Sequence, residues 1–182
     1  MSKDILSSNF FELFELPVSY EVDLNQVQKK YMELQKLVHP DKFANASDAE
    51  KRLSMQQTSW INEAQTTLKD PVLRATYLLK LKGTDINLEN ETTMDAAFLM
   101  QQLEMRERLE HIKKENDPLT ALDGMAKELK AASNDVMAGF AASYETEQID
   151  EAREWIRKLQ FMQKAKKEID RLSADIEDEL MS

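Results

Sequence analysis

The sequence predicts an all-α chain in two modules, an N-terminal helical hairpin with flanking helices followed by a C-terminal three-helix bundle. Three observations carry this. Gly and Pro are scarce, 3 and 4 in 182 residues, while Lys, Glu, Leu, Ala, Gln and Met dominate, a mixture that favours helix almost throughout. Apolar residues recur at spacings of three and four, and no run alternates β-branched and polar residues as a strand would. Each proline falls where one apolar stripe ends or the next begins, as a residue lacking an N–H must in a helical chain.

The first element is a short apolar segment over residues 9–16, closed by Pro17. Phe10, Leu13 and Phe14 lie at i, i+3, i+4, enough for one buried stripe. After a loop, Asp23 and Gln26 have the spacing of a capping box. Leu24, Val27, Tyr31, Leu34 and Val38 then repeat at helical intervals. Lys29, Lys30 and Lys36 occupy the face away from that stripe.

The helix must stop at His39-Pro40-Asp41. Proline disfavours the helical region for the residue before it, so the backbone turns at His39. His39 and Asp41 are thereby presented at a hairpin tip, where binding residues concentrate. Ser47 and Glu50 make a second capping box, and the next helix runs to about Lys69 with Leu53, Trp60, Ile61, Ala64 and Leu68 inward. Trp60 reads as core. Asp70-Pro71 ends that helix and starts another, with Asp70 as N-cap and Pro71 in the first turn. Val72, Ala75, Tyr77, Leu78 and Leu81 form its buried face, and Gly83 stops it.

Residues 84–94 lack periodicity and read as a linker between a module at 1–83 and one at 95–182. A helix is expected from Asp95 to Glu115, with Phe98, Met105, Leu109 and Ile112 inward. Leu99, Met100 and Leu103 project to a neighbouring face beside Glu104 and Glu107. Two readings stay open: a wide-faced helix set deep in its bundle, or an adaptable Met-containing patch with an acidic rim, suited to a protein partner. Asp117-Pro118 makes the next break. The following helix has Leu122, Met125, Leu129, Ala132, Val136 and Phe140 inward, with Gly139 as a weak spot. The last helix, about Glu147 to Leu180, repeats Trp155, Met162, Ile169 and Ile176 every seven residues, with Leu159, Ala165 and Leu172 between. Such heptads imply antiparallel bundle packing. Phe161 falls outside the stripe.

Charge and composition exclude several functions. The net charge of −10 disfavours nucleic acid, since phosphate binding needs a cationic surface. The charge is uneven: residues 1–80 carry 10 Lys/Arg against 11 Asp/Glu, and residues 81–182 carry 14 against 23. With no cysteine, disulfides, thiolate metal sites and cysteine nucleophiles are excluded. The two histidines, His39 and His111, lie in separate modules with no assignable partner ligands, and no Gly-rich phosphate loop is present. We expect no catalytic residues, no metal and no cofactor. No stretch reads as a signal peptide or membrane span, so a cytoplasmic chain without a membrane partner is expected.

His-Pro-Asp at the tip of a helical hairpin, within Leu37-Val-His-Pro-Asp-Lys-Phe-Ala44, resembles the signature of J-domains, the co-chaperone modules that act on DnaK-type chaperones. A given tripeptide of this composition arises by chance in such a chain on the order of once in a hundred; the basic helix before it and long helix after it lift the match. The stretch from Asp70 to Gly83, "DPVLRATYLLKLKG", narrows the resemblance to the HscB family, J-type co-chaperones of iron–sulfur cluster assembly. The Gly/Phe-rich linker and zinc module of general DnaJ proteins are missing, as is the cysteine-bearing extension of some eukaryotic relatives, which points to the bacterial type.

The resemblance implies that His39, Pro40 and Asp41, with Lys29, Lys30 and Lys36, dock a DnaK-type chaperone (HscA-like) and stimulate its ATPase. The stretch "AFLMQQLEMRERLE" is similar to the family's scaffold-contacting helix. By that similarity Leu99, Met100, Leu103, Glu104 and Glu107 would contact an iron–sulfur scaffold protein (IscU-like), joined by Phe161 in its "RKLQF" context. His111 stands where the family often has an acid. A J-domain adaptor for a different client would keep the first half of this reading and change the second.

Overall fold

Sequence breaks become capped helix ends in the computed structural model, which describes residues 4–181. Two units separate at Gly83, Met1–Gly83 and Thr84–Ser182, and each is described by itself. Among the described residues there is helix and turn but no strand.

The first unit holds α1 (Phe10–Leu13), α2 (Leu24–Val38), a 3-10 turn (Pro40–Phe43), α3 (Asp48–Lys69) and α4 (Pro71–Leu81). Asn9 and Glu12 form a capping box on α1, and Ser47 and Glu50 form another on α3. Asp23 caps α2 by accepting from the N–H groups of Asn25 and Gln26, and Asp70 caps α4 through Val72 and Leu73. Each such cap satisfies helix-end donors that would otherwise lack partners, a gain of about 1 kcal/mol. Gly83 has φ +84°, the left-handed conformation that a side chain resists.

Phe11, Ile61, Leu68, Leu78 and Leu79 are the fully buried centre of this unit; burying each is worth about 1.5–3 kcal/mol. The Phe10 ring stacks on Tyr77 at 4.3 Å and meets the edge of Trp60 at 4.8 Å. Trp60 is only half-buried, and its indole N–H donates to the Ser8 carbonyl. Leu24, Leu53 and Leu81, expected inward, are exposed. Leu24 is the first residue of α2 and Leu81 the last of α4. For α3 the register differs by one residue: Ser54, seven before Ile61, holds the inward position assigned to Leu53.

The second unit holds α5 (Ala96–His111), a 3-10 turn (Ile112–Lys114), α6 (Pro118–Glu145) and α7 (Ile149–Met181). The helix expected to reach Glu115 therefore leaves α-geometry at Ile112, tightening into 3-10 form before Asp117-Pro118. Helices α6 and α7 form a long hairpin turned at Glu147, with φ 59°. Leu122, Met125, Leu129, Val136 and Phe140 face Ile156, Leu159, Met162, Ala165, Ile169 and Ile176. Gly139 is a fitted position instead of a weak spot. A Cβ there would lie 2.5 Å from the Trp155 ring, so the indole packs directly on the α6 backbone.

Residues 84–94 are irregular yet fastened to α7. The Glu91 carboxylate accepts from Arg153 at 2.7 Å and from Arg157 at 2.6 Å. The Leu88 carbonyl accepts from the Gln160 amide, and the Thr93 hydroxyl donates to Glu154. Periodicity does not report this kind of attachment, since ion pairs and backbone bonds need no apolar stripe.

Candidate functional sites

Helix α2 ends because Pro40 has no N–H to offer, which leaves the last carbonyls of the helix without their usual partners. One of them is satisfied from the opposite helix. Ser54 of α3, fully buried, donates its hydroxyl to the Val38 carbonyl at 2.6 Å. His39 then takes extended backbone angles, φ −53° and ψ 128°. Its Nδ1 accepts from the Asp41 N–H at 3.3 Å. The Asp41 carboxylate lies 3.6 Å from the same nitrogen. Three constraints hold the turn: the Pro40 ring, the His39 cap and the Ser54 hydroxyl below it. The Asp41 side chain stands 91% exposed at the tip, so its carboxylate is available to a visiting cation.

The lysine face divides. Lys29 and Lys36 are exposed on α2. Lys30 is mostly covered and lies 2.9 Å from Glu15, with Glu33 at 3.8 Å. Its charge is engaged within the unit, so Lys29 and Lys36 are the free-standing cations of the three.

Arg74, which the sequence pattern did not single out, is buried below the same helices. It donates to the Leu68 carbonyl at 2.5 Å, and its guanidinium lies 4.8 Å from the Tyr20 ring centre. Burial pushes the Tyr20 hydroxyl up to about 12, with Arg74 partly opposing the rise. Burial likewise lowers the pKa of Arg74, with Tyr20 acting in the other direction. The visible signal for Arg74 is its place among buried Val72, Ala75 and Leu78 on α4, where a charged residue is out of pattern.

In the second unit Leu99, Met100 and Leu103 are 43%, 58% and 47% exposed. Of the two readings left open for α5, the deep setting is therefore excluded: this apolar face is uncovered within the unit. Glu104 and Glu107 are exposed beside it. Phe161 is half-buried and meets Phe98 edge-on at 5.5 Å, so it supports the first turn of α5 while keeping part of its ring accessible. His111 is exposed at the end of α5, its Nδ1 2.9 Å from the Glu107 carbonyl. An open groove of about 590 Å³ separates α5 from α7, lined by Met105, Leu109, Phe161, Ala165 and Leu172 among others.

A four-helix unit presenting His-Pro-Asp on an exposed turn, followed by a helical bundle, defines a J-domain co-chaperone. The comparisons agree with that class and narrow it. Residues 9–77 match the DnaJ domain model, and residues 94–170 match the model described as HSCB C-terminal oligomerisation domain. The chain is 41% identical over 167 residues to a co-chaperone protein HscB homolog of Shewanella woodyi, covering 90% of this chain and 96% of that one. It is 37% identical over 169 residues to the Haemophilus influenzae homolog, covering 92% and 97%. Among solved structures it resembles chaperone HscB from Vibrio cholerae, with TM-score 0.85 and 37% identity over 93% of this chain and 99% of that one. It also resembles human co-chaperone protein HscB, with TM-score 0.81 and 30% identity over 90% and 81%. The chain belongs to the HscB family of J-domain co-chaperones. Among the described residues no helix is long and apolar enough to cross a membrane.

Proposed function

We propose that this chain delivers an iron–sulfur cluster scaffold protein (IscU-like) to a DnaK-type chaperone (HscA-like) and stimulates that chaperone's ATPase. The observation that carries this is the 91% exposed carboxylate of Asp41 on a turn braced from three sides. A fixed carboxylate is suited to a bidentate arginine on the partner, a strong and geometrically exacting pair. Pro40 fixes the turn and His39 orders it. Lys29 and Lys36 add long-range attraction toward an acidic partner, with Lys30 shared between that role and Glu15. The scaffold is bound by Leu99, Met100 and Leu103, rimmed by Glu104 and Glu107 and flanked by Phe161. Carrying both sites on one chain raises the scaffold's effective concentration at the chaperone. The chain itself performs no chemistry in this scheme; the chaperone hydrolyses the ATP.

Two variants test the division of labour. Asp41→Ala is expected to abolish ATPase stimulation with scaffold binding intact. The triple change of Leu99, Met100 and Leu103 to Ala is expected to do the reverse, with helicity unchanged by circular dichroism. A triple variant that binds the scaffold with unaltered affinity contradicts the assignment of the scaffold to this face, and a wild-type chain that fails to bind the scaffold favours a J-domain adaptor for another client.

A second reading has one observation behind it, the description of the matched C-terminal model as an oligomerisation domain. In that reading the α5 face meets a second copy of the chain. The net charge of −9 over residues 81–182 opposes such self-pairing through like-charge repulsion. Sedimentation across a concentration series separates the two.

A further inference from the structure

Helix α5 is held at its start by α7 and in its last turn by Arg108, which donates to Glu128 of α6 at 2.7 Å; the stretch between is more open. At its start Asp95 caps Phe98 through one carboxylate oxygen and accepts from Lys158 of α7 through the other at 2.8 Å. The Lys158 ammonium also lies 5.4 Å from the Phe98 ring centre and 4.8 Å from that of Trp155, within cation–π range. Just before this cap the chain is fastened to two turns of α7 by the bonds of Leu88, Glu91 and Thr93 described above. Arg157 is the hub: its Nε donates to Glu91 and its Nη1 to Glu154, both at 2.6–2.7 Å. Residues 88–93 thus run down α7 from Gln160 to Glu154, reverse at Thr93–Asp95, and release α5 back along α7. At the far end Ile112 is buried and Lys113 pairs with Glu179. Between these points Met105 and Leu109 are only half-buried beside the groove.

We infer that residues 88–95 are a strap that sets where α5 begins and how its Leu99/Met100/Leu103 face is presented, with Glu91 and Arg157 as positioning residues for partner binding. The Glu91 side chain is 8% exposed and receives two guanidinium groups. Burial alone would push its carboxyl up; the hydrogen bonds from Arg153 and Arg157 outweigh this and hold it below the usual range. Removing the Glu91 charge takes away the carboxylate that both guanidinium groups share and leaves Arg157 with Glu154 alone, so the strap loses its central tie to α7. Apolar packing in the middle of α5 is too sparse to hold the helix start unaided. The strap therefore decides whether the three apolar side chains stand as one preformed patch or must be ordered on binding.

The link to binding rests on the scaffold reading above, so the test has one readout independent of it. Hydrogen exchange of the full chain is compared with that of Glu91→Gln, which keeps the side-chain shape and removes the charge. Expected is roughly tenfold or greater loss of protection at residues 97–104, with 122–140 of α6 unchanged as the folded control. Arg157→Lys, which retains charge but not the two-way fork, is the gentler second variant and is expected to show a smaller change of the same kind. Unchanged protection at 97–104 in both variants overturns the strap. Scaffold affinity is then measured in a cycle with Leu99→Ala. A positioning role predicts that Leu99→Ala costs less in the Glu91→Gln background, whereas purely additive losses contradict it. Lost protection with scaffold affinity untouched keeps the strap and removes α5 from the scaffold reading.

Discussion

Gly139 of α6 lies so close to the Trp155 indole of α7 that a methyl group there would fall 2.5 Å from ring carbon Cε2. Helix propensity and packing make opposite forecasts for Gly139→Ala. Propensity favours Ala by about 1 kcal/mol in a helix interior. Overpacking against a ring held in the hairpin costs about 1–3 kcal/mol. The packing term is expected to win, giving net destabilisation in urea denaturation followed by circular dichroism. A stabilised variant contradicts the close approach.

Ser54→Ala removes the hydroxyl that satisfies the Val38 carbonyl under the His-Pro-Asp turn. A buried acceptor left without its donor costs about 1–3 kcal/mol. The effect expected beyond stability is on the turn itself. At a temperature where the variant is fully folded, chaperone stimulation should fall while scaffold affinity stays at the wild-type value. Equal stimulation would limit Ser54 to a stability role.

Tyr20 links the first unit to alkaline pH. Its folded pKa is raised to about 12 by burial, against about 10 in an unfolded chain. The neutral phenol is the form the fold favours, so this contribution is fully present below pH 10 and is lost as pH rises through 12. Two units of difference correspond to about 2–3 kcal/mol. Tyr20→Phe is expected to flatten the decline in stability between pH 10 and 12, measured by denaturant midpoint at each pH. A slope identical to wild type contradicts the assignment.

Fold class and helix order were legible because they follow from local rules. Asp23, Ser47 and Asp70 cap the helices that their spacing announced, and Asp117, read only as a break, caps the helix that follows it. The His-Pro-Asp turn was legible for the same reason, since proline dictates where α2 stops. What stayed hidden depends on partners distant in sequence. Ser54 is not singled out by the sequence pattern, because its partner, the Val38 carbonyl, lies on another helix; its seven-residue spacing from Ile61 and Leu68 is the one signal that could have found it. Lys30 read as one of three equal lysines until Glu15 came within 2.9 Å. Residues 84–94 read as a linker because their attachments to α7 are polar and roughly 60–70 residues away. Gly139 read as a weakness because propensity sees only the helix that contains it.

The central claim is that one chain couples an exposed carboxylate on its first unit to a client face on its second. Single-turnover ATP hydrolysis by the DnaK-type chaperone tests this most directly, with wild type, Asp41→Ala and the Leu99/Met100/Leu103→Ala variant, each with and without scaffold protein. Wild type should accelerate hydrolysis, and scaffold should raise the rate further at concentrations too low to act alone. The triple variant should keep the first increment and lose the second, and Asp41→Ala should lose both. A triple variant that retains the full scaffold-dependent increment, or an Asp41→Ala chain that stimulates like wild type, would contradict the account.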